Sequence, residues 1–205
     1  MRTKLPSGIW RDYPVLLDIK AQGLSMNIPM IETVSLDFLE PILTQYSKPR
    51  ILEIGTAIGY SAIALALMTH GHVTTIERER HLYEIAVENL IDAKLKRSVK
   101  LIHGDAFDVD FSSYGQFEII FIDGAKAQYQ RLFEKLSPLL SKEGLIITDN
   151  LSFHGYVHRD PESMTRNQRA IARKITNYVE WLKNCSDFET NFYDIGDGLS
   201  ISKRK

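Results

Sequence analysis

The chain has 205 residues, 44% hydrophobic and 25% charged, with a formal net charge of -1. That length suits one domain, the composition excludes a disordered chain, and the charge leaves only a local basic face to attract nucleic acid. The sole cysteine, Cys185, excludes an internal disulfide and a cysteine zinc site, and with no signal-peptide core in residues 1–14 and no apolar run near the ~20 residues of a membrane span, a cytoplasmic protein with no membrane partner is expected.

Residues 13–46 predict helices broken around Asn27, Ile28 and Pro29, with Val34, Phe38, Leu39, Ile42 and Leu43 near helical spacing. They would form an N-terminal helical cap over 1–48. From residue 49 the pattern changes to short apolar runs at 50–55, 72–77, 99–105, 117–123 and 145–149, separated by helical segments at 59–70, 79–95 and 127–140. Continuous apolar runs mark strands buried on both faces, and parallel neighbours need helical crossovers, so 49–150 predicts a doubly wound α/β core. A polar loop at 151–165 and a helix at 166–184 follow. Two strand-like runs at 188–195 and 198–202 flank a tight turn at Gly196 and Asp197, and this pair is predicted to close the sheet as an antiparallel edge blunted by the basic tail. The whole, 1–205, predicts a single domain.

In open α/β sheets ligands bind beyond the carboxyl ends of the strands, so the residues that end each run carry the argument. The first run passes into Gly55-Thr56-Ala57-Ile58-Gly59, a glycine spacing that lacks the pyrophosphate fingerprint of dinucleotide binders and counts against a nicotinamide dehydrogenase. The second ends in Glu77, suited to ribose hydroxyls, and the third in Asp105-Ala106, suited to an adenine edge. Glu53 is an acid inside a buried strand, where it needs a cation or a donor network. Each residue alone has a bland reading as a connecting turn or a solvated strand end. Together, in order, they predict a nucleoside-type cofactor.

The fourth run ends in Asp123 and the fifth in Asp149-Asn150. Two carboxylates and an amide form an all-oxygen set suited to magnesium, or to manganese or calcium. Helix or loop capping is the plainer role for Asp149 and Asn150. His154 and His158, four apart, raise zinc as an alternative, but the intervening glycine and the lack of a third ligand favour surface or substrate contact. Lys126 follows Asp123 on the same loop, where a neighbouring metal would lower its pKa toward that of a general base. A solvent-facing loop lysine is the competing reading.

The segments ILEIGTAIGYSAIALAL, TTIERE, HGDA, FIDGAK, TDN and IGDGLSISK resemble the bacterial cation-dependent O-methyltransferases, relatives of catechol O-methyltransferase, in order over residues 28–203. The resemblance implies a class I S-adenosylmethionine-dependent methyltransferase fold: a Rossmann-like, seven-stranded, mostly parallel sheet with one antiparallel strand and helices on both faces. It also implies that Ile31 (with Met30 beside it), Glu53, Gly55, Ser61, Glu77, Asp105, Ala106 and Asp123 contact S-adenosylmethionine. Asp123, Asp149 and Asn150 would hold the metal, Lys126 would be the catalytic base with Asp123 beside it, and the protein would be a homodimer.

Within the family, the GTAIGYSA stretch and the C-terminal region are similar to the branch that methylates 5-hydroxyuridine at the wobble position of transfer RNA. Metal-assisted chemistry calls for a hydroxyl with a second oxygen beside it, which 5-hydroxyuracil and catechols both offer. Arg159, Arg166, Arg169, Arg173 and Lys174 would meet anticodon phosphates, and Phe153 or Tyr156 would stack on a base. A solvated helix face is the plainer reading of those residues. A small catechol-like acceptor is the alternative partner, and a noncatalytic cofactor-binding module is the alternative of another class.

Overall fold

Alternation of apolar strands with amphipathic helices builds a seven-stranded sheet in the computed structural model, which describes residues 13–205. The strands are β1 (Arg50–Ile54), β2 (His72–Glu77), β3 (Val99–His103), β4 (Phe117–Ile122), β5 (Leu140–Thr148), β6 (Phe188–Tyr193) and β7 (Leu199–Arg204). The helices are α1 (Pro14–Ser25), α2 (Thr33–Leu43), α3 (Tyr60–Thr69), α4 (Arg80–Asp92), α5 (Tyr129–Leu136) and α6 (Arg166–Lys183). Sheet order is β3-β2-β1-β4-β5-β7-β6. All neighbours pair in parallel except β7, which runs antiparallel to both β5 and β6. The expected fold class therefore holds, with its single antiparallel strand.

Both faces of the sheet are apolar because successive side chains alternate between two cores. Ile51, Ile119, Phe121 and Ile147 join the core that contains Leu16, Leu36, Ile63 and Leu90 from α1 to α4. Leu52, Ile120, Ile122 and Ile146 join the other, with Tyr129, Phe133 and Tyr178 from α5 and α6. The chain winds outward from β1 to β3, then returns to the other side of β1 with β4. That reversal makes β1 and β4 the topological switch point, where adjoining loops part and leave a crevice.

Several predicted boundaries shift for local reasons. The helical segment expected at 127–140 is divided into a 3-10 turn at Lys126–Gln128, the helix α5 and a second 3-10 turn at Ser137–Leu139. Pro138, which lacks a backbone donor, sits in that second turn. The fifth apolar run is the end of a longer strand that starts at Leu140. The two C-terminal runs close the sheet as an antiparallel pair, as expected, with the later strand on the inside. β7 inserts between β5 and β6, so β6 alone is the edge, and Lys203 and Arg204 lie on an interior strand where Lys203 meets Glu143 at 2.8 Å. The first twelve residues of the expected N-terminal cap lie outside the described residues. Among the described residues, no helix is long and apolar enough to cross a membrane.

Candidate active site

A cavity of about 520 Å³ opens at the carboxyl ends of β1 to β5. Its floor forms where the turns leaving β1 and β4 touch. Gly55 has φ +99°, and a Cβ there would come within 3.0 Å of the Gly124 backbone, so both turns need a glycine's small profile to meet. At the end of β2, Glu77 is held by two backbone donors: the Ala57 N–H at 2.7 Å and the Glu79 N–H at 2.8 Å, one to each carboxylate oxygen. Beyond β3, Asp105 accepts from the Phe107 N–H at 2.8 Å, and Ala106 lines the wall beside it. The three strand ends singled out in the sequence thus share one chamber.

Glu53 does not line the chamber; it is wholly buried one residue before Ile54, which does. One carboxylate oxygen accepts from Thr75, whose hydroxyl is also bonded to that of Thr56, while the other oxygen has no hydrogen-bond partner among the described residues. Burial pushes the Glu53 carboxyl up to about 7, against the lowering effect of the Ser61 and Thr75 hydroxyls, and the Glu77 charge adds to the rise. A buried carboxylate oxygen without a donor is chemically matched to an ammonium ligand, directly or through water.

β4 and β5 are adjacent with Ile122 paired to Thr148, so the next residues, Asp123 and Asp149, emerge side by side. Asn150, at φ 66°, turns its side-chain amide back to Asp123 Oδ1 at 2.5 Å. The Tyr129 hydroxyl donates to the Asp149 carbonyl at 2.8 Å, and the Asn150 N–H donates to Asp149 Oδ1 at 2.7 Å. Asp123 keeps some surface toward the cavity but is otherwise enclosed. Burial, reinforced by the Asp149 charge, raises its carboxyl well above the ordinary range, and burial pushes Asp149 up to about 6. Lys126 lines the same cavity, its ammonium form disfavoured by burial and favoured by Asp123, Asp197 and Asp149. The lowering expected there from a metal thus has a second source in the protein itself.

Two adjacent enclosed carboxylates are uncomfortable without a cation, so this donor set fits a hard divalent ion. Asn150 presents its NH₂ to Asp123; rotating the amide by half a turn would present its oxygen instead. Asp123, Asp149 and Asn150 include only two carboxylates, and among the described residues no three His, Cys, Asp or Glu side chains are gathered to hold a metal. The zinc alternative through His154 and His158 therefore finds no third ligand. His154 lines the chamber and His158 does not.

Some placements differ from the sequence expectation. Ile31 is in the core with α1 to α4 and is 4% exposed, while Met30, Pro29 and Ile28 line the cavity. Ser61 is also buried on the first turn of α3, outside the lining. Glu32 and Asp197 line the cavity without having been singled out. Asp197 accepts from the His154 N–H at 2.5 Å, and its second oxygen lies 3.4 Å from His154 Nδ1. With the bond from Ser152 N–H to the Asp197 carbonyl at 2.7 Å, this ties the β6–β7 turn to the loop after Asn150. The sequence signals for Asp197 were its glycine-flanked turn and its place in the IGDGLSISK segment, neither of which gave it a role.

A parallel sheet reversed at β1 and β4, with glycine and acid chemistry at three successive strand ends, defines a Rossmann-like methyltransferase fold. The chain belongs to the O-methyltransferase family, whose model matches residues 16–205. Caffeoyl-CoA O-methyltransferase of Populus kitakamiensis is 27% identical over 87% of this chain and 78% of its own. Flavonoid 3',5'-methyltransferase of Vitis vinifera is 27% identical over 87% and 79%. Among solved structures, a Staphylococcus aureus protein provisionally described as a caffeoyl-CoA O-methyltransferase shares 35% identity with a TM-score of 0.87, covering 93% of this chain and 92% of that one. An O-methyltransferase of Bacillus cereus in complex with S-adenosylhomocysteine shares 25% identity with a TM-score of 0.78, over 95% and 92%. The protein is an S-adenosylmethionine-dependent O-methyltransferase of the caffeoyl-CoA O-methyltransferase type.

Proposed function

We propose that this enzyme methylates a hydroxyl that has a second oxygen beside it, with a divalent cation held by Asp123, Asp149 and Asn150, and that its acceptor is 5-hydroxyuridine at the wobble position of transfer RNA. The observation that carries the chemistry is the presence of Asp123, Asp149, Asn150 and Lys126 in one cavity with Gly55, Glu77 and Asp105. Glu77 would bind ribose hydroxyls and Asp105 the adenine edge, while Glu53 would face the ammonium of the methionine moiety. A bound magnesium ion would polarise the two acceptor oxygens and lower the hydroxyl's pKa. Lys126, whose ammonium is disfavoured by burial, would take the hydroxyl proton on its Nζ. The walls would hold donor and acceptor in line for displacement, which removes the entropic cost of bringing them together in the transition state.

The acceptor reading is supported by the similarity of the GTAIGYSA stretch and the C-terminal region to the transfer-RNA branch. The names of the plant relatives favour a small catechol-type acceptor as the second reading. Both readings are tested by supplying the purified enzyme with S-adenosylmethionine and magnesium. Methyl transfer to RNA containing 5-hydroxyuridine, lost in Asp149→Ala, is the expected result. Turnover of a catechol with none of the RNA would replace the acceptor, and unchanged activity in a chelator would overturn the metal assignment.

A further inference from the structure

A second cavity, of about 510 Å³, lies between α6 and the loop that leads to it. Arg166, Arg169 and Arg173 are spaced by three and four residues, which puts them on one stripe of α6, and Arg159 joins them from the loop. Among the described residues no carboxylate lines this space: Asp160 instead accepts from the Glu162 N–H at 2.9 Å, and the first acid along α6 is Glu180. One Arg169 nitrogen fixes the loop through the Pro161 and Met164 carbonyls at 2.9 and 2.7 Å. Arg159 lies 4.4 Å from the centre of the Tyr156 ring. An ordinary solvated helix face intersperses charges of both signs, and a helix N-terminus favours acids over bases. Four guanidiniums here, in a chain of net charge -1, depart from both patterns.

The alcove adjoins the active site. Its wall residue Tyr156 follows closely on His154, which lines the strand-end cavity, and α6 packs on the turn that holds Lys126. Guanidinium forks match phosphate oxygens two at a time. We propose that this arginine alcove is a phosphate-binding subsite for the acceptor, gripping a phosphate group of the substrate while the reacting hydroxyl occupies the strand-end cavity. Only the source of the phosphate, an RNA backbone, rests on the acceptor reading above; a coenzyme A thioester would bring the same chemistry.

The test is binding without turnover. A labelled RNA hairpin with ordinary uridine in its loop is titrated by fluorescence anisotropy at several potassium chloride concentrations. Arg166→Gln/Arg173→Gln is expected to weaken binding about tenfold or more and to reduce the slope of log K against log salt by about 2. Lys48→Gln/Lys142→Gln, at the amino ends of β1 and β5, removes the same charge and is expected to leave both values unchanged. If the hairpin does not bind but coenzyme A does, with the same arginine dependence, the subsite stands with a small-molecule source. Equal affinities and slopes for the wild type and the arginine variant with both probes would overturn it, even if 5-hydroxyuridine RNA is still methylated. Conversely, failed RNA methylation with intact arginine-dependent binding would strike the acceptor reading alone.

Discussion

Glu53 was conspicuous in the sequence as an acid within RILEI, and its burial has a measurable consequence. The folded carboxyl holds its proton up to about pH 7, whereas the unfolded one releases it near 4.5. The folded state therefore binds more protons between those values, so stability falls as pH rises through that window, by about 3 kcal/mol in all. Glu53→Gln removes this loss while keeping the shape. Without cofactor it is expected to raise the Tm by about 6–12 °C at pH 8 and hardly at pH 5, while S-adenosylmethionine affinity falls at least tenfold in calorimetry. Equal Tm gains at both pH values would show that the carboxylate is not penalised. Lys126 makes a different kind of prediction. Lys126→Met is expected to lower kcat by about 10² to 10⁴-fold with little change in cofactor affinity, and a loss confined to KM would assign the lysine to acceptor binding instead.

At the scale of elements, the meeting of the β1 and β4 turns decides whether the chamber has a floor. Gly55→Ala places a methyl group against the Gly124 backbone at a left-handed φ, and is expected to cost about 1–3 kcal/mol in denaturant unfolding. Gly104→Ala, which meets nothing within 4 Å, is expected to stay within about 0.5 kcal/mol. Equal effects would mean that the close approach of the two turns does not matter.

This contrast also marks what was legible in the sequence. Strand ends could be read because apolar runs stop abruptly at Glu77, Asp105, Asp123 and Asp149, and a charge there has only the carboxyl-end crevice to face. The insertion of β7 between β5 and β6 could not be read, since strand pairing is set by contacts far apart in the chain. Asp197 was hidden for the same reason: its partner, His154, is brought to it by that insertion. Met30 and Ile31 were read as a neighbourhood, and adjacency in the chain could not show that Met30 lines the cavity while Ile31 is buried outside it.

The whole molecule sets stability against function at the junction of β4 and β5. A parallel pairing that brings Asp123 and Asp149 out together concentrates negative charge in an enclosed place, which a fold selected for stability alone would avoid. Removing one charge should therefore stabilise the cation-free protein, so Asp149→Asn is expected to raise its Tm in a chelator. Magnesium should act in the opposite order of merit. At a hundredfold excess over its dissociation constant it stabilises the wild type by about 2.7 kcal/mol, a Tm rise of about 5–10 °C for a chain of this length. In Asp149→Asn that rise should largely vanish, together with methyl transfer. The crossing of the two Tm curves, variant above wild type in chelator and below it in magnesium, distinguishes a metal centre from a pair of capping carboxylates. If the carboxylates only cap their loops, the variant would be less stable in both conditions and magnesium would move neither protein.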